Sequence, residues 1–130
     1  MKKLLILLFS LLILPFSVYA SDVYYCSEDE TIGFKPSNNY SSENYNPMKF
    51  KILIDFENNN VISDDIWFQK QYDQTCLFDI VDQSLYCVNI LGSVFSINKM
   101  DSSFRRGSIY NKMSNQTDDI VLGYGTCEKF

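Results

Sequence analysis

The sequence predicts an all-β domain: a single antiparallel meander of about eight strands that closes into a small barrel, or folds into a sandwich, stapled by two disulfides. Three observations predict it. Apolar residues recur with period two in short runs. Clusters of Asn, Ser, Asp and Gly separate those runs. Four cysteines, at positions 26, 76, 87 and 127, are an even number in a chain that opens like an exported one.

The opening residues MKKLLILLFSLLILPFSVYA place Lys2 and Lys3 before an apolar run, with Val18 and Ala20 ahead of Ser21. This is the layout of a bacterial Sec-type signal peptide, residues 1–20, cleaved after Ala20. The run is shorter than the roughly 20 residues a membrane span needs, and Pro15 interrupts it, so no span is expected in the mature chain. Residues 21–130 then form one domain in the periplasm or the surrounding medium, and a monomer is expected.

After the leader, DVYYC and TIGFK read as strands. The segment PSNNYSSENYNP, bounded by Pro36 and Pro47, is polar except for Tyr40 and Tyr45, and it is long for a connection in a small domain. Tyrosines amid serine and asparagine are what adaptable binding loops use, so Tyr40, Tyr45 and the neighbouring Glu43 form a candidate binding loop. The reading without function is an Asn-rich spacer.

MKFKILIDF follows, with Phe50, Ile52, Ile54 and Phe56 alternating against Lys49, Lys51, Leu53 and Asp55. It turns at ENNN and returns through VISDDIWF, which predicts a hairpin. A three-residue turn at Asn58 to Asn60 sets Phe56 near Ile62 and Phe50 near Phe68. A two-residue turn brings Ser63, Asp65 and Trp67 to the inner face, and a bulge near Asp64-Asp65 would reconcile the two.

TCLFDIVDQSLYCVNI predicts a second hairpin. With Cys76 opposite Cys87, Phe78 faces Leu85 on one side and Leu77 faces Tyr86 on the other, around a tight turn at Val81-Asp82. A Cys76–Cys87 bridge would stabilise this hairpin by roughly 3 kcal/mol through the unfolded state. GSVFSIN, SFRRGSIY and DDIVLGYGTC read as the remaining strands.

On the last strand Val121, Gly123, Gly125 and Cys127 share a face, and on the first Tyr24 and Cys26 share one. Neighbouring first and last strands would let Cys26 reach Cys127 and seal a barrel seam, worth at most roughly 4.7 kcal/mol. The glycines would then leave room for strand coiling or for a ring such as Tyr24 lying across the backbone. Other connectivities of four cysteines remain open on sequence alone.

The function classes narrow by exclusion. There is no histidine, which removes the usual general base, the commonest zinc ligand and every Ser-His-Asp arrangement. No CxxC spacing is present, so the cysteines read as structural rather than redox or metal-binding. Carboxylates cluster at Glu28-Asp29-Glu30, Asp55 with Glu57, Asp64-Asp65 and Asp118-Asp119; they read as solvated turns and edges rather than a glycosidase pair or a calcium loop. Arg105 and Arg106 fall in a strand and so face opposite ways. The sequons at Asn39 and Asn115 read as chance in an Asn- and Ser-rich chain. No catalytic residue, metal or cofactor is assigned, and an enzyme is not expected.

With Lys2 and Lys3 removed, nine basic side chains face sixteen acidic ones, a net charge of −7. Such a surface repels nucleic acid and anionic lipid and leaves a basic protein or a small ligand as partner; the reading without function is that the charge keeps an exported protein soluble.

Tyr25-Cys26, Gly33-Phe34, the pair Cys76 and Cys87, and the closing Gly125-Thr126-Cys127-Glu128-Lys129-Phe130 together resemble a group of small exported bacterial β-proteins that carries no assigned activity. A second resemblance is to periplasmic inhibitors of C-type lysozyme, small β-barrels with an early Tyr-x-Cys-like strand and a terminal cysteine bridge. Here Tyr24-Tyr25-Cys26 and Gly92-Ser93-Val94-Phe95-Ser96 carry it. The expected function is an exported, non-enzymatic binding module acting through loops or a barrel mouth. The second resemblance implies the alternative of an inhibitor of a cationic cell-wall hydrolase, and a structural envelope-associated protein is the third reading.

Overall fold

In the computed structural model, residues 21–63, 68–70, 72–109 and 120–130 are described. The leader assigned to residues 1–20, the bulge expected near Asp64-Asp65, Trp67, the sequon at Asn115 and the pair Asp118-Asp119 lie outside these residues.

Nine strands form one antiparallel sheet: β1 (Asp22–Phe34), β2 (Ser42–Asn44), β3 (Lys49–Asp55), β4 (Asn60–Ser63), β5 (Gln74–Asp79), β6 (Ser84–Asn89), β7 (Ser93–Asn98), β8 (Ser103–Ser108) and β9 (Ile120–Lys129). Their order is β4-β3-β1-β9-β8-β7-β6-β5, and the short β2 pairs with the end of β1. This is a nearly closed eight-stranded barrel, and among the described residues it contains no α-helix, only a 3-10 turn at Pro36–Asn38.

Cys26 lies directly opposite Cys127, with Cα atoms 4.0 Å apart, and Cys76 lies opposite Cys87 at 4.1 Å; both pairs are bonded. The hairpin of β5 and β6 has the predicted register, with Phe78 opposite Leu85 and Leu77 opposite Tyr86. First and last strands are neighbours, as the terminal cysteines predict. They form a continuous ladder, however, and the open side of the barrel is between β4 and β5. There the Gln74 side chain bridges the gap, its amide donating to Asn60 Oδ1 at 2.7 Å and to the Val61 carbonyl.

Residues on the inner face fill the barrel. Ile52, Ile54, Val61, Leu85, Ile97 and Phe104 are almost wholly buried. Phe50, Phe68, Phe95 and Phe104 meet as an aromatic cluster with centroids 5.3–6.5 Å apart, and Tyr24, Phe56 and Phe78 form a second chain of edge contacts. Both disulfides sit in this core. The aliphatic and aromatic filling is what an eight-stranded barrel accommodates without an internal channel.

Several sequence expectations are corrected. DVYYC and TIGFK are one strand, continuous through the acidic run, because a bulge at Asp29 shifts the register between Glu28 and Glu30. Glu28 is therefore not solvated but buried. The β3–β4 turn spans four residues, 56–59, pairing Ile54 with Val61 and Ile52 with Ser63. That inner face agrees with the two-residue alternative, but at a different register from either. No ring crosses the β9 glycines: an added Cβ at Gly123 would strike the Glu28 carboxylate, and one at Gly125 would strike the backbone of Ser27 and Glu28. Gly33 is the position where a ring does cover a glycine, and the ring is Tyr45.

Candidate functional site: the turn end of the barrel

Three hairpin turns, 56–59, 80–83 and 99–102, converge on the end of the barrel where β1 begins and β9 finishes. They share one construction. Each has four residues and closes on a left-handed residue, Asn59 (φ 51°), Gln83 (φ 58°) or Ser102 (φ 57°). Each is opened by the last side chain of the preceding strand. Asp55 Oδ1 accepts from the backbone of Glu57 and Asn58, Asp79 Oδ1 from Val81, and Asn98 Oδ1 from Met100 and Asp101, at 2.8–3.3 Å. Asp and Asn fold back on the chain in this way because their carbonyl oxygen reaches the amide two residues on.

The β5–β6 turn is held most firmly. Besides the Cys76–Cys87 bond, Gln83 Nε2 donates to the Ile80 carbonyl at 2.6 Å, Ser84 N to Asp82 Oδ1 at 2.9 Å, and the Tyr86 hydroxyl to Asp82 Oδ2. This hydrogen bond to Asp82 is the main reason the Tyr86 phenol is raised above its ordinary range. The turn is tied to its neighbour as well: Lys99 N donates to the Gln83 carbonyl and Asn98 Nδ2 to the Asp82 carbonyl, both at 2.8 Å. Yet the residues at its tip touch little. Ile80 is 77 % and Val81 93 % exposed, with Met100 on the adjoining turn at 78 %.

Around this apolar tip the charge is one-sided. Asp55, Glu57, Asp79, Asp82 and Asp101 lie on or beside the three turns with Lys99, and at the same end Lys129 pairs with Asp22 at 2.7 Å. Lys99 is partly occupied below the tip, its Nζ 5.5 Å from the Phe56 ring centroid and 5.9 Å from that of Phe78. Hydrogen bonds from Asn58 hold the Asp55 carboxyl below the usual range, and those from Ser103 do the same for Asp101. Asp55 and Asp101 therefore keep their charge to a lower pH than a free carboxyl does. An aliphatic tip in an acidic rim can enter an apolar cleft edged by lysine or arginine.

The Tyr40, Glu43 and Tyr45 loop is at the opposite end. Its members are not brought together as free anchors. Tyr45 lies over Gly33, with Lys35 Nζ 5.1 Å from its ring centroid, and its backbone N donates to the Thr31 carbonyl. Glu43 accepts from Lys35 Nζ at 2.9 Å and from Asn38 Nδ2 at 2.5 Å, and the Lys35 bond holds its carboxyl below the usual range. Tyr40 alone stands out, 53 % exposed at a positive φ of 58°. The Gly92–Ser96 stretch is a turn followed by strand, with Ser93 and Phe95 pointing into the core.

The one buried carboxylate, among the described residues, is Glu28. It accepts from Arg106 Nε, from Thr31 Oγ1 at 2.6 Å and from Met48 N at 2.7 Å. Burial opposes its ionisation, but these hydrogen bonds and the Arg106 charge outweigh that and hold its carboxyl below the usual range. No group of three or more His, Cys, Asp or Glu suited to a metal occurs among the described residues. Comparison with protein-family models, with curated proteins and with solved structures gives no match to this chain.

Proposed function

We propose that the protein is an exported, non-enzymatic binding module that recognises a basic protein through the turn end of its barrel. The observation that carries this reading is the Ile80–Val81 tip: two aliphatic side chains left in water by a turn fixed through a disulfide and side-chain hydrogen bonds. A tip already rigid in the free protein loses little further entropy when it docks, so its burial counts almost fully toward affinity. The surrounding carboxylates speed encounter with a cationic surface and disfavour neutral or acidic ones. Two disulfides accord with an oxidising compartment outside the cytosol. The packed interior directs ligands to the outer surface rather than into the barrel.

A cationic cell-wall hydrolase with an apolar-lined cleft is one partner of this chemistry, and it is the kind the lysozyme-inhibitor resemblance implies. The test is capture from an envelope extract of the producing cells by immobilised protein, comparing the wild type with the double variant Ile80→Asp and Val81→Asp. Both side chains are solvent-exposed, so the variant keeps its melting temperature. The expected result is a basic protein retained by the wild type and lost with the variant. Capture of no basic protein, or equal capture by both, contradicts the reading.

A further inference from the structure

The side of the barrel carries a second feature, which adjoins the turn end through Tyr86, whose hydroxyl donates to Asp82. Outward residues of adjacent strands fall into two cross-strand rows. One runs Thr75, Val88, Val94, Gly107, Leu122, Ile32, and the next runs Leu77, Tyr86, Ser96, Arg105, Tyr124, Glu30. The solvent face of an antiparallel sheet is ordinarily polar. Here Leu77, Tyr86, Val88, Val94 and Leu122 are all exposed.

One small residue, Ser96, lines a dip in this face, whereas Val94 and Leu122 close over Gly107. Gly107 stands between Val94 and Leu122, where even a Cβ would press on both, at 3.0 and 3.1 Å. Ser96 stands between Tyr86 and Arg105. The result is a groove of about 480 Å³, walled by Leu77, Tyr86, Val88, Val94 and Leu122, with Arg105 on its border. That volume is in the range of small-molecule sites rather than of flat protein interfaces. Its lining runs over five adjacent strands, β5 to β9, and curves with the barrel, which suits a flexible alkyl chain.

The polar lining decides the head group. Arg105 is exposed and makes no salt bridge to another described residue. Glu30, the carboxylate of this row, stands beyond Tyr124 and accepts from its hydroxyl at 3.1 Å, and Asp82, on the adjoining turn, accepts from that of Tyr86. Asp101 feels the Arg105 charge only as the weakest of the effects that lower its carboxyl. A guanidinium fork beside an apolar channel matches a carboxylate at the end of a hydrocarbon chain.

We propose that this groove binds a long-chain fatty acid, with the alkyl chain along the Val88–Val94–Leu122 row and the carboxylate on Arg105. The groove adjoins the turn end, but the tip residues Ile80 and Val81 do not line it. The experiment titrates the full mature protein with hexadecanoate below its micelle concentration, by displacement of a fluorescent fatty acid, beside hexadecanol and hexadecyltrimethylammonium. The expected result is one saturable site that prefers the carboxylate. Arg105→Gln should weaken hexadecanoate about tenfold, the worth of a charge-assisted hydrogen bond, and leave hexadecanol unchanged. Val88→Asp should abolish binding of both while Ile80→Asp with Val81→Asp leaves it intact, and melting curves identify any variant that fails to fold. Absence of saturable binding to the wild type, equal affinity for the trimethylammonium compound, or indifference to both Arg105→Gln and Val88→Asp overturns the proposal.

Discussion

Glu28 stands in a run of three acids, and the bulge at its neighbour Asp29 explains why it alone turns inward. Before the bulge Tyr24, Cys26 and Glu28 face the core; after it the parity shifts, so that Thr31 and Gly33 do. Arg106 then reaches Glu28 from β8, and Gly123 leaves the space for the carboxylate. The Glu28 side chain has no solvent exposure, so removing it takes the Glu28 charge and its hydrogen bond from a buried guanidinium. Glu28→Ala is expected to cost about 3–5 kcal/mol in chemical denaturation at neutral pH. The pH dependence has a definite sign. Because the folded carboxyl is held below its ordinary range, the stabilisation is present above the unfolded carboxyl range and lost as pH falls through the folded one. The stability gap between wild type and Glu28→Gln should therefore narrow as pH falls from 6 to 3, and a constant gap would contradict this assignment. The opposite orientations of Arg105 and Arg106 were legible from strand parity. The partner of Arg106 was not, since it lies 78 residues away and its orientation depends on a single inserted residue.

Among the elements, the hairpins were the most legible, because period-two patterning sets which residues share a face and a cysteine pair fixes the register of β5 and β6. Turn length was the weak point for β3 and β4. An Asn-rich stretch signals a turn but not its size, and Asp55, the side chain that closes a four-residue turn, reads as an ordinary strand residue until Asp79 and Asn98 are seen doing the same. An Asp or Asn that ends each alternating run is the signal the three share in the sequence. The polar loop after Pro36 presents the reverse case: its tyrosines read as a matched pair, yet Tyr45 covers Gly33 beside β2 while Tyr40 stays in water. Aromatic cover of a strand glycine compensates for the packing it lacks. Tyr45→Ala is thus expected to lower stability by about 1–2 kcal/mol, less than the roughly 3–5 for a wholly buried ring, whereas Tyr40→Ala changes the melting temperature little. Equal, negligible effects of the two in thermal denaturation would show that the ring contributes nothing there.

For the whole molecule, the antiparallel all-β fold was legible in the sequence and its expected disulfide pairs are those formed, while barrel against sandwich and the location of a binding surface were not. Composition supplies the net charge; only the convergence of three turns shows that five carboxylates surround Ile80, Val81 and Met100 at one end. The outer groove was still less visible, since it consists of residues from five strands aligned by register. The central claim, that an acidic end guides a rigid apolar tip to a basic partner, has a direct kinetic consequence. Screening lengths fall from about 30 Å at 0.01 M to about 8 Å at 0.15 M salt, so steering by the turn end is strong at low ionic strength and weak at high. The decisive measurement is the association rate constant of the captured basic partner with the wild type and with Glu57→Gln plus Asp101→Asn, at those two salt concentrations. The account predicts a fall of about tenfold or more for the wild type as salt rises, a smaller fall for the double variant, and dissociation rates that change little. An association rate indifferent to salt and to both substitutions would contradict it.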